Sequence, residues 1–295
     1  MARLGYVPTP DPYRTGLRPL DMPPRPLWHW PLAVAGCLAL VYGLFVVLFW
    51  SEADRMVYMT RAVIPRETPV EGTAKVVVTT EDGERLWGYW RPPAPGRPVV
   101  VTFHGYESPR VAAKRFSYGP WQGEGWGVLA LAFRGYPGST GKPTEEGLQR
   151  DAEAALAFVA AQSPDARVVL HGHGIGAAVA VRAADEHEVA GLYVESPFTS
   201  LRDFGRALVP FMPSLIFAGG YDSLRRMPFV RCRTLVVHWD EDRTVPVEQG
   251  RRLADAARYA TFVVARGDGG TLWESPHDAL ATAMFSRASV PRPGL

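Results

Sequence analysis

The stretch L-H-G-H-G-I-G-A-A-V-A-V (Leu170–Val181) joins a predicted strand to a predicted helix through a glycine-rich bend. An apolar run precedes the bend, and an alanine-rich run that favours helix follows it. The frame Gly172-x-Gly174-x-Gly176 matches the Gly-x-Ser-x-Gly motif, in which a serine sits on a sharp turn between a strand and a helix. Here Gly174 holds the central position, so the segment predicts such a turn without its hydroxyl group.

Short β-rich runs alternate with helical stretches on both sides of this turn. Strands are predicted at Lys75–Thr79, Leu86–Arg91, Val99–Phe103, Val128–Phe133, Val168–Leu170, Gly191–Val194, Leu235–His238 and Thr261–Val264. Helices are predicted at Val111–Gln122, Glu145–Ala161, Ala177–Glu188, Val247–Tyr259 and Pro276–Ser286. The first two strands have no helix between them and form an antiparallel hairpin. The later ones predict a mostly parallel eight-stranded sheet with helices on both faces, in one α/β domain over 74–290.

The N-terminal part divides into three segments before that domain. Residues 1–30 are proline-rich, lack apolar periodicity and are expected to be a disordered tail. Residues 31–50 are apolar, and no charged residue lies between Arg25 and Glu52. Because twenty helical residues span the ~30 Å hydrocarbon core, this run predicts a transmembrane anchor, followed by a linker over 51–73. A signal peptide fits less well, since its apolar region is shorter and ends in small residues.

The charges beside the anchor predict its orientation. Arginines flank the run on both sides: Arg14, Arg18 and Arg25 precede it, and Arg55 and Arg61 follow it among acidic residues. Because positive flanks stay in the cytoplasm, the N-terminus is expected inside and the domain outside the cytoplasm. The expected partner is therefore the lipid bilayer, through residues 31–50.

Charge, cysteine and histidine content exclude several classes of function. The net charge of +2 comes entirely from the first thirty residues, and the rest of the chain is balanced. The domain therefore has no excess of basic residues of the kind that binds nucleic acid. The two cysteines, Cys37 and Cys232, cannot form a disulfide within the domain, because Cys37 lies in the apolar run. No cysteine or histidine spacing typical of a metal site occurs, and neither a metal nor a cofactor is expected.

A dinucleotide-binding protein is one alternative. Gly172, Gly174 and Ala177 fit the fingerprint Gly-x-Gly-x-x-Gly/Ala, and Glu195 follows about twenty residues later at the end of the next strand. That fingerprint normally opens its domain, whereas five predicted strands precede it here. The alternative therefore stays open but disfavoured.

Motifs at the ends of the predicted strands point to another class. They are T-F-H-G-Y (102–106), F-R-G-Y-P-G-S-T-G (133–141), V-E-S-P-F-T-S (194–200) and L-V-V-H-W-D-E-D-R-T-V-P (235–246). Together with the glycine turn, and in this order, they resemble the α/β-hydrolase family over roughly residues 70 to 290. The resemblance is to single-pass, membrane-anchored, esterase- and thioesterase-like serine hydrolases.

This resemblance implies roles for five positions. Asp242 matches the acid that orients the catalytic histidine, and Tyr106 and Ile175 match the two backbone oxyanion donors. Gly174 replaces the serine. In A-R-G-D-G-G-T-L-W-E (265–274) the histidine position, counted back from the tryptophan, holds Gly269.

The resemblance therefore implies an ancestral ester or thioester hydrolase whose serine and histidine are both replaced by glycine. We expect it to be inactive by that route and to bind an acyl-bearing small molecule in the retained pocket. An active hydrolase with a relocated site is the other alternative; Ser139, Ser196 and Ser275 are the serines considered, and Ser196 and Ser275 each precede a proline, which favours a turn or cap role.

The insertion 201–231 interrupts the alternation and is long, apolar and proline-bearing. It is expected to be a lid that covers the site, since an exposed loop would not carry so many apolar residues. The side chains expected to contact the ligand are Phe211, Met212, Leu215 and Phe217.

Overall fold

The computed structural model describes residues 29–58, 70–105, 109–117, 119–217, 220–268 and 277–286. The predicted tail and the positions of Tyr106 and Gly269 lie outside these ranges. The chain divides into two compact units, Met1–Leu48 and Phe49–Leu295. A helix, α1 (His29–Tyr58), contains the apolar run; its stretch Trp30–Ala53 has a mean hydropathy of 2.6 and is long and apolar enough to cross a membrane.

The second unit is built on one eight-stranded sheet. Its strands are β1 (Ala74–Thr79), β2 (Arg85–Arg91), β3 (Val99–Phe103), β4 (Gly127–Leu131), β5 (Val168–His173), β6 (Gly191–Glu195), β7 (Arg233–Trp239) and β8 (Ala260–Ala265). Their spatial order is β1-β2-β4-β3-β5-β6-β7-β8. Strand β2 runs antiparallel to both of its neighbours, and β3 to β8 are parallel. The predicted hairpin and parallel sheet are confirmed.

Helices cover both faces of this sheet. They are α2 (Pro109–Phe116), α3 (Gly119–Gly123), α4 (Glu145–Gln162), α5 (Ile175–Glu186), α6 (Leu201–Leu208), α7 (Ser223–Arg226), α8 (Val247–Ala256) and α9 (Asp278–Ser286). Short 3-10 turns lie at Ser214–Phe217 and Met227–Phe229.

Alternate residues of the parallel strands enter separate cores, because successive side chains of a strand point to opposite faces. In β5, Leu170 packs with residues of α4 and α5, whereas Val169 packs with residues of α2, α3 and α9. Both side chains are fully buried. Because strands such as β3 and β4 are buried at every residue, both faces of the sheet pack against helices.

Several element boundaries differ from those predicted, and three of the differences lie in α1, in the helix predicted at 111–122 and in the strand before the glycine turn. Helix α1 continues to Tyr58, so the first residues of the expected linker are helical, and residues 59–69 lie outside the described ranges. The single helix predicted at 111–122 is two helices, because Gly119 adopts a φ of 65°, which an α-helix does not tolerate. Strand β5 extends through His173, since its backbone continues to pair with β6 up to Glu195.

Candidate active-site pocket

The three glycines between β5 and α5 form a tight turn, and they are not all required for the same physical reason. A Cβ atom at Gly172 would collide with the carbonyl of Gly176, and one at Gly176 with the carbonyl of Phe103. Gly174 instead has φ 55° and ψ −116°, and a Cβ built there meets no atom within 4 Å. Two of the glycines therefore allow close backbone packing, and Gly174 provides the conformation of the bend.

A pocket of about 260 Å³ opens beside Gly174. It lies at the carboxyl ends of the parallel strands, where open α/β sheets place their ligands. Its polar wall is formed by residues that follow successive strands: Gly105 after β3, His173 at the end of β5, Ser196 after β6, Asp242 after β7 and Asp268 after β8. The sheet thus brings to one cavity positions that lie far apart in sequence.

The opposite side of the pocket is mostly apolar. Its walls come from the end of α1, the loops after β4, β6 and β7, the first residue of α5, and α6; they comprise Val57, Tyr58, Tyr136, Ile175, Phe198, Leu201, Phe204 and Val245. A cavity with an apolar wall and a few convergent polar groups is the usual form of a small-molecule site.

Asp242 is held by the turn in which it lies. Its Oδ1 atom accepts hydrogen bonds from the backbone N–H groups of Thr244 (2.8 Å) and Val245 (2.9 Å). Its Oδ2 atom lies 3.7 Å from Nε2 of His238, which is itself 2.8 Å from the Val245 carbonyl. Burial lowers the pKa of His238 below its ordinary value, so this ring is neutral at neutral pH. Asp242 therefore has a fixed carboxylate at the pocket wall.

The loop after β8 is tied to the same turn. The Glu241 N–H donates to the Gly267 carbonyl at 2.9 Å, and the Gly267 N–H donates to the Asp240 carboxylate at 2.8 Å. These bonds place Asp268 in the pocket wall, directly before Gly269 in the chain. In the same way Gly105 lines the pocket directly before Tyr106.

The structure brings together only some of the residues expected at the site. Gly174, Ile175 and Asp242 share the pocket. The segment 201–231 contributes Leu201 and Phe204 to its wall. The four lid residues are placed otherwise: Phe211 is 61% exposed, Met212 and Phe217 are buried outside the pocket lining, and the side chain of Leu215 lies outside the described ones.

Beneath the turn lies a buried ionic network that the sequence does not reveal. Arg115 of α2 contacts the carboxylate of Glu195 at 2.5 Å and that of Asp278 in α9 at 2.5 Å. His171 bonds to Glu195 at 3.0 Å and to the Thr102 hydroxyl at 2.8 Å. These residues lie up to 163 positions apart in sequence, so no local spacing signals the network.

Burial and charge act in opposite directions on this network. Burial alone raises the pKa of Glu195, but the charge of Arg115 and the hydrogen bond from His171 outweigh it and hold that pKa well below its usual range. Burial lowers the pKa of His171, which is therefore neutral at neutral pH. Glu195 is ionised and fully paired, and its backbone carbonyl accepts the N–H of Gly174 at 3.1 Å.

These contacts bear on the dinucleotide alternative. That fingerprint requires Glu195 to bind a ribose hydroxyl. Its carboxylate instead is inaccessible to solvent and bonded to Arg115, His171 and Tyr193. The glycine turn therefore lacks the acidic partner that would make it a nucleotide site.

Comparison with known proteins places this geometry in a family. A sequence model of the alpha/beta hydrolase family matches residues 99–226. The chain is 35% identical over 246 residues to the uncharacterised protein Rv2307c of Mycobacterium tuberculosis, covering 81% of this chain and 87% of that protein. The chain belongs to the α/β-hydrolase family.

Two further similarities are more distant. The chain is 29% identical over 181 residues to the lysophosphatidylserine lipase ABHD12 of Gallus gallus; the match covers 54% of this chain and about half, 47%, of that protein. The solved structure of the Pyrococcus furiosus esterase PF2001 superposes with a TM-score of 0.59 at 24% identity, over 70% of this chain and 87% of that one. This second likeness concerns the fold alone.

Proposed function

We propose that this protein is a membrane-anchored member of the α/β-hydrolase family that binds the acyl chain of a lipid and does not hydrolyse it by serine–histidine chemistry. The carrying observation is Gly174. It occupies the turn between β5 and α5 at the pocket, in a backbone conformation that only glycine adopts without strain, and has no hydroxyl or thiol. Acyl-enzyme chemistry requires a nucleophile with an adjacent base.

The other parts of a hydrolase site keep their places in this proposal. Asp242 is the retained acid without its histidine, whose position Gly269 takes. The N–H groups of Ile175 and Tyr106 are the oxyanion donors, which do not depend on side chains. The site then binds a carbonyl without attacking it.

The pocket favours a lipid with one acyl chain. Its volume of about 260 Å³ lies just under the ~300–1,000 Å³ of pockets for drug-sized ligands, so it accommodates part of a lipid rather than two chains. Its apolar wall includes Phe198, Leu201 and Phe204. A relative named a lysophosphatidylserine lipase acts on a lipid of this single-chain kind.

A relocated active site at Ser196 is the second candidate. Ser196 lines the pocket, is buried and has φ 44°, an uncommon angle for a residue other than glycine. Backbone strain of this kind clusters at functional sites. Its neighbour Glu195 bonds to Gly174, so the Ser196 backbone follows directly beside the turn.

The first experiment separates these two functions. The full chain in phosphatidylcholine nanodiscs is treated with a serine-directed fluorophosphonate, and any adduct is located by mass spectrometry. We expect no adduct. Stoichiometric labelling that Ser196→Ala abolishes would establish the relocated site instead and overturn the non-catalytic proposal.

The binding part is tested with lysophosphatidylserine that carries a photoreactive acyl chain. Crosslinks are expected on the pocket walls, and Leu201→Trp should reduce them several-fold by filling the cavity. Val77→Trp is the matched control, because Val77 is 55% exposed on edge strand β1. Equal crosslinking in both variants would contradict binding in this pocket.

Restoring chemistry tests the assignment of the two glycines. Gly174→Ser combined with Gly269→His should hydrolyse a short-chain activated ester, whereas either change alone should not, because triad members act as a unit. Adding Asp242→Asn should abolish the gained turnover. Background turnover in all variants would show that the histidine position is assigned wrongly.

A further inference from the structure

The end of helix α1, a few residues beyond the candidate membrane span, forms part of the pocket wall. Val57 and Tyr58 line the pocket, four and five residues after Ala53, the last residue of the candidate span. At a rise of ~1.5 Å per residue, the pocket wall begins about 6 Å along the helix from that point. The Tyr58 carbonyl accepts the hydroxyl hydrogen bond of Tyr136, and its own hydroxyl lies 3.3 Å from that of Tyr221.

The segment from Leu201 to Phe217 packs against the same helix end. Its inner face places Leu201 and Phe204 in the pocket wall. The ring of Phe217 lies edge-on to the ring of Phe49, with 6.2 Å between centroids. Gly205 allows this packing, since a Cβ there would overlap the Phe217 ring. Phe49 lies within the candidate span, so the segment contacts α1 four residues before that span ends.

The outer face of this segment combines positive charge with an exposed aromatic ring. Arg202 and Arg206 are exposed, one helical turn apart on α6. Asp203 is the segment's one acidic residue and accepts the Thr199 hydroxyl at 2.7 Å. Phe211, between α6 and the 3-10 turn, is 61% exposed. Aromatic rings favour the membrane interface, and arginines are attracted to an anionic leaflet.

We infer that the segment Leu201–Phe217 rests on an anionic bilayer surface beside α1, so that a single-chain lipid passes between them from the membrane into the pocket. This inference rests on the proposed anchoring and deepens the proposed function, because it gives the ligand a route that avoids water. The side of this segment that faces the bilayer consists of Arg202, Arg206 and Phe211. The side that faces the pocket consists of Leu201 and Phe204.

Depth measurements on the full chain test this surface. Phe211→Cys and, as a control, Phe229→Cys are made in a Cys37→Ser background and labelled with an environment-sensitive fluorophore. Phe229 is 65% exposed and lies outside the segment, and the native Cys232 is buried. In nanodiscs of phosphatidylcholine and phosphatidylglycerol, spin-labelled lipids should quench the label at 211 several-fold more than the label at 229.

The charge contribution is measured in the same system. Arg202→Gln with Arg206→Gln should reduce quenching at position 211, as should omission of phosphatidylglycerol, whereas Arg225→Gln, whose side chain is 87% exposed elsewhere, should not. Equal quenching at 211 and 229 would overturn the inference. Photocrosslinking of the acyl chain in the pocket distinguishes the two proposals: crosslinks without quenching reject only this surface, whereas quenching without crosslinks rejects the proposed function and the lipid route and leaves only the contact with the bilayer.

Discussion

At the scale of single residues, three glycines of one turn have different physical requirements. Gly172 and Gly176 cannot take a side chain, because backbone carbonyls occupy the space. Gly174 has the space, but its φ of 55° and ψ of −116° disfavour every other residue. A serine at this position would therefore be strained but not crowded, which is the condition that a nucleophile turn imposes.

Gly174→Ala is accordingly predicted to cost about 1–3 kcal/mol of stability, the range for a residue forced into a sparsely populated backbone conformation. Gly83→Ala is the matched control, since Gly83 has φ 85° and equally open surroundings. Gly176→Ala should cost more than either, because the carbonyl of Phe103 must move. Thermal unfolding of the purified full chain measures the order. A loss for Gly174→Ala as large as for Gly176→Ala would mean that the turn is packed and not open.

At the scale of secondary-structure elements, the sequence predicted what depends on local pattern. Short β-rich runs, separated in most cases by helical stretches, predicted the eight strands. The glycine turn predicted the junction of β5 and α5. The ionic network of Arg115, Glu195 and Asp278 could not be predicted, because it joins α2, β6 and α9 only after folding. The same holds for Tyr58, which was assigned to a linker and lies in the pocket wall.

The expected ligand contacts show a similar limit. Apolar content marked the segment 201–231, but it does not say which side chains face inward. Leu201 and Phe204 lie on the face of α6 that lines the pocket, whereas Phe211 lies exposed in the turn that follows α6. Burial direction is a property of packing between elements, so composition alone does not fix it.

Arg115→Met is predicted to destabilise the protein by about 3–5 kcal/mol, because it leaves the buried carboxylates of Glu195 and Asp278 without their cation. Arg97→Met is the control: its ion pair with Glu124 is 45% exposed on each side, and such pairs contribute about 0–1 kcal/mol. Adding Glu195→Gln and Asp278→Asn to Arg115→Met should recover part of the loss in thermal unfolding. Equal small losses for both arginine variants would contradict a charge-balanced network.

At the scale of the whole molecule, helix α1 contains both the candidate membrane span and part of the pocket wall. The helix supplies a stretch able to cross a bilayer, and its end supplies two residues of the pocket. In the proposed function, the membrane anchor therefore also forms part of the lipid-binding site. The side of the membrane on which the domain lies decides which leaflet provides that ligand.

The arginines before the apolar run predict that the domain lies outside the cytoplasm. Arg225→Cys in a Cys37→Ser background tests this, because the Arg225 side chain is 87% exposed and the remaining native thiol, Cys232, is buried. A membrane-impermeant maleimide added to intact cells should label it, whereas Thr15→Cys in the same background should react only after permeabilisation. Replacing Arg14, Arg18 and Arg25 with glutamine should weaken this asymmetry, since it removes the positive charge that retains the tail. Labelling of Thr15→Cys but not Arg225→Cys in intact cells would reverse the orientation and assign the ligand to the cytoplasmic leaflet.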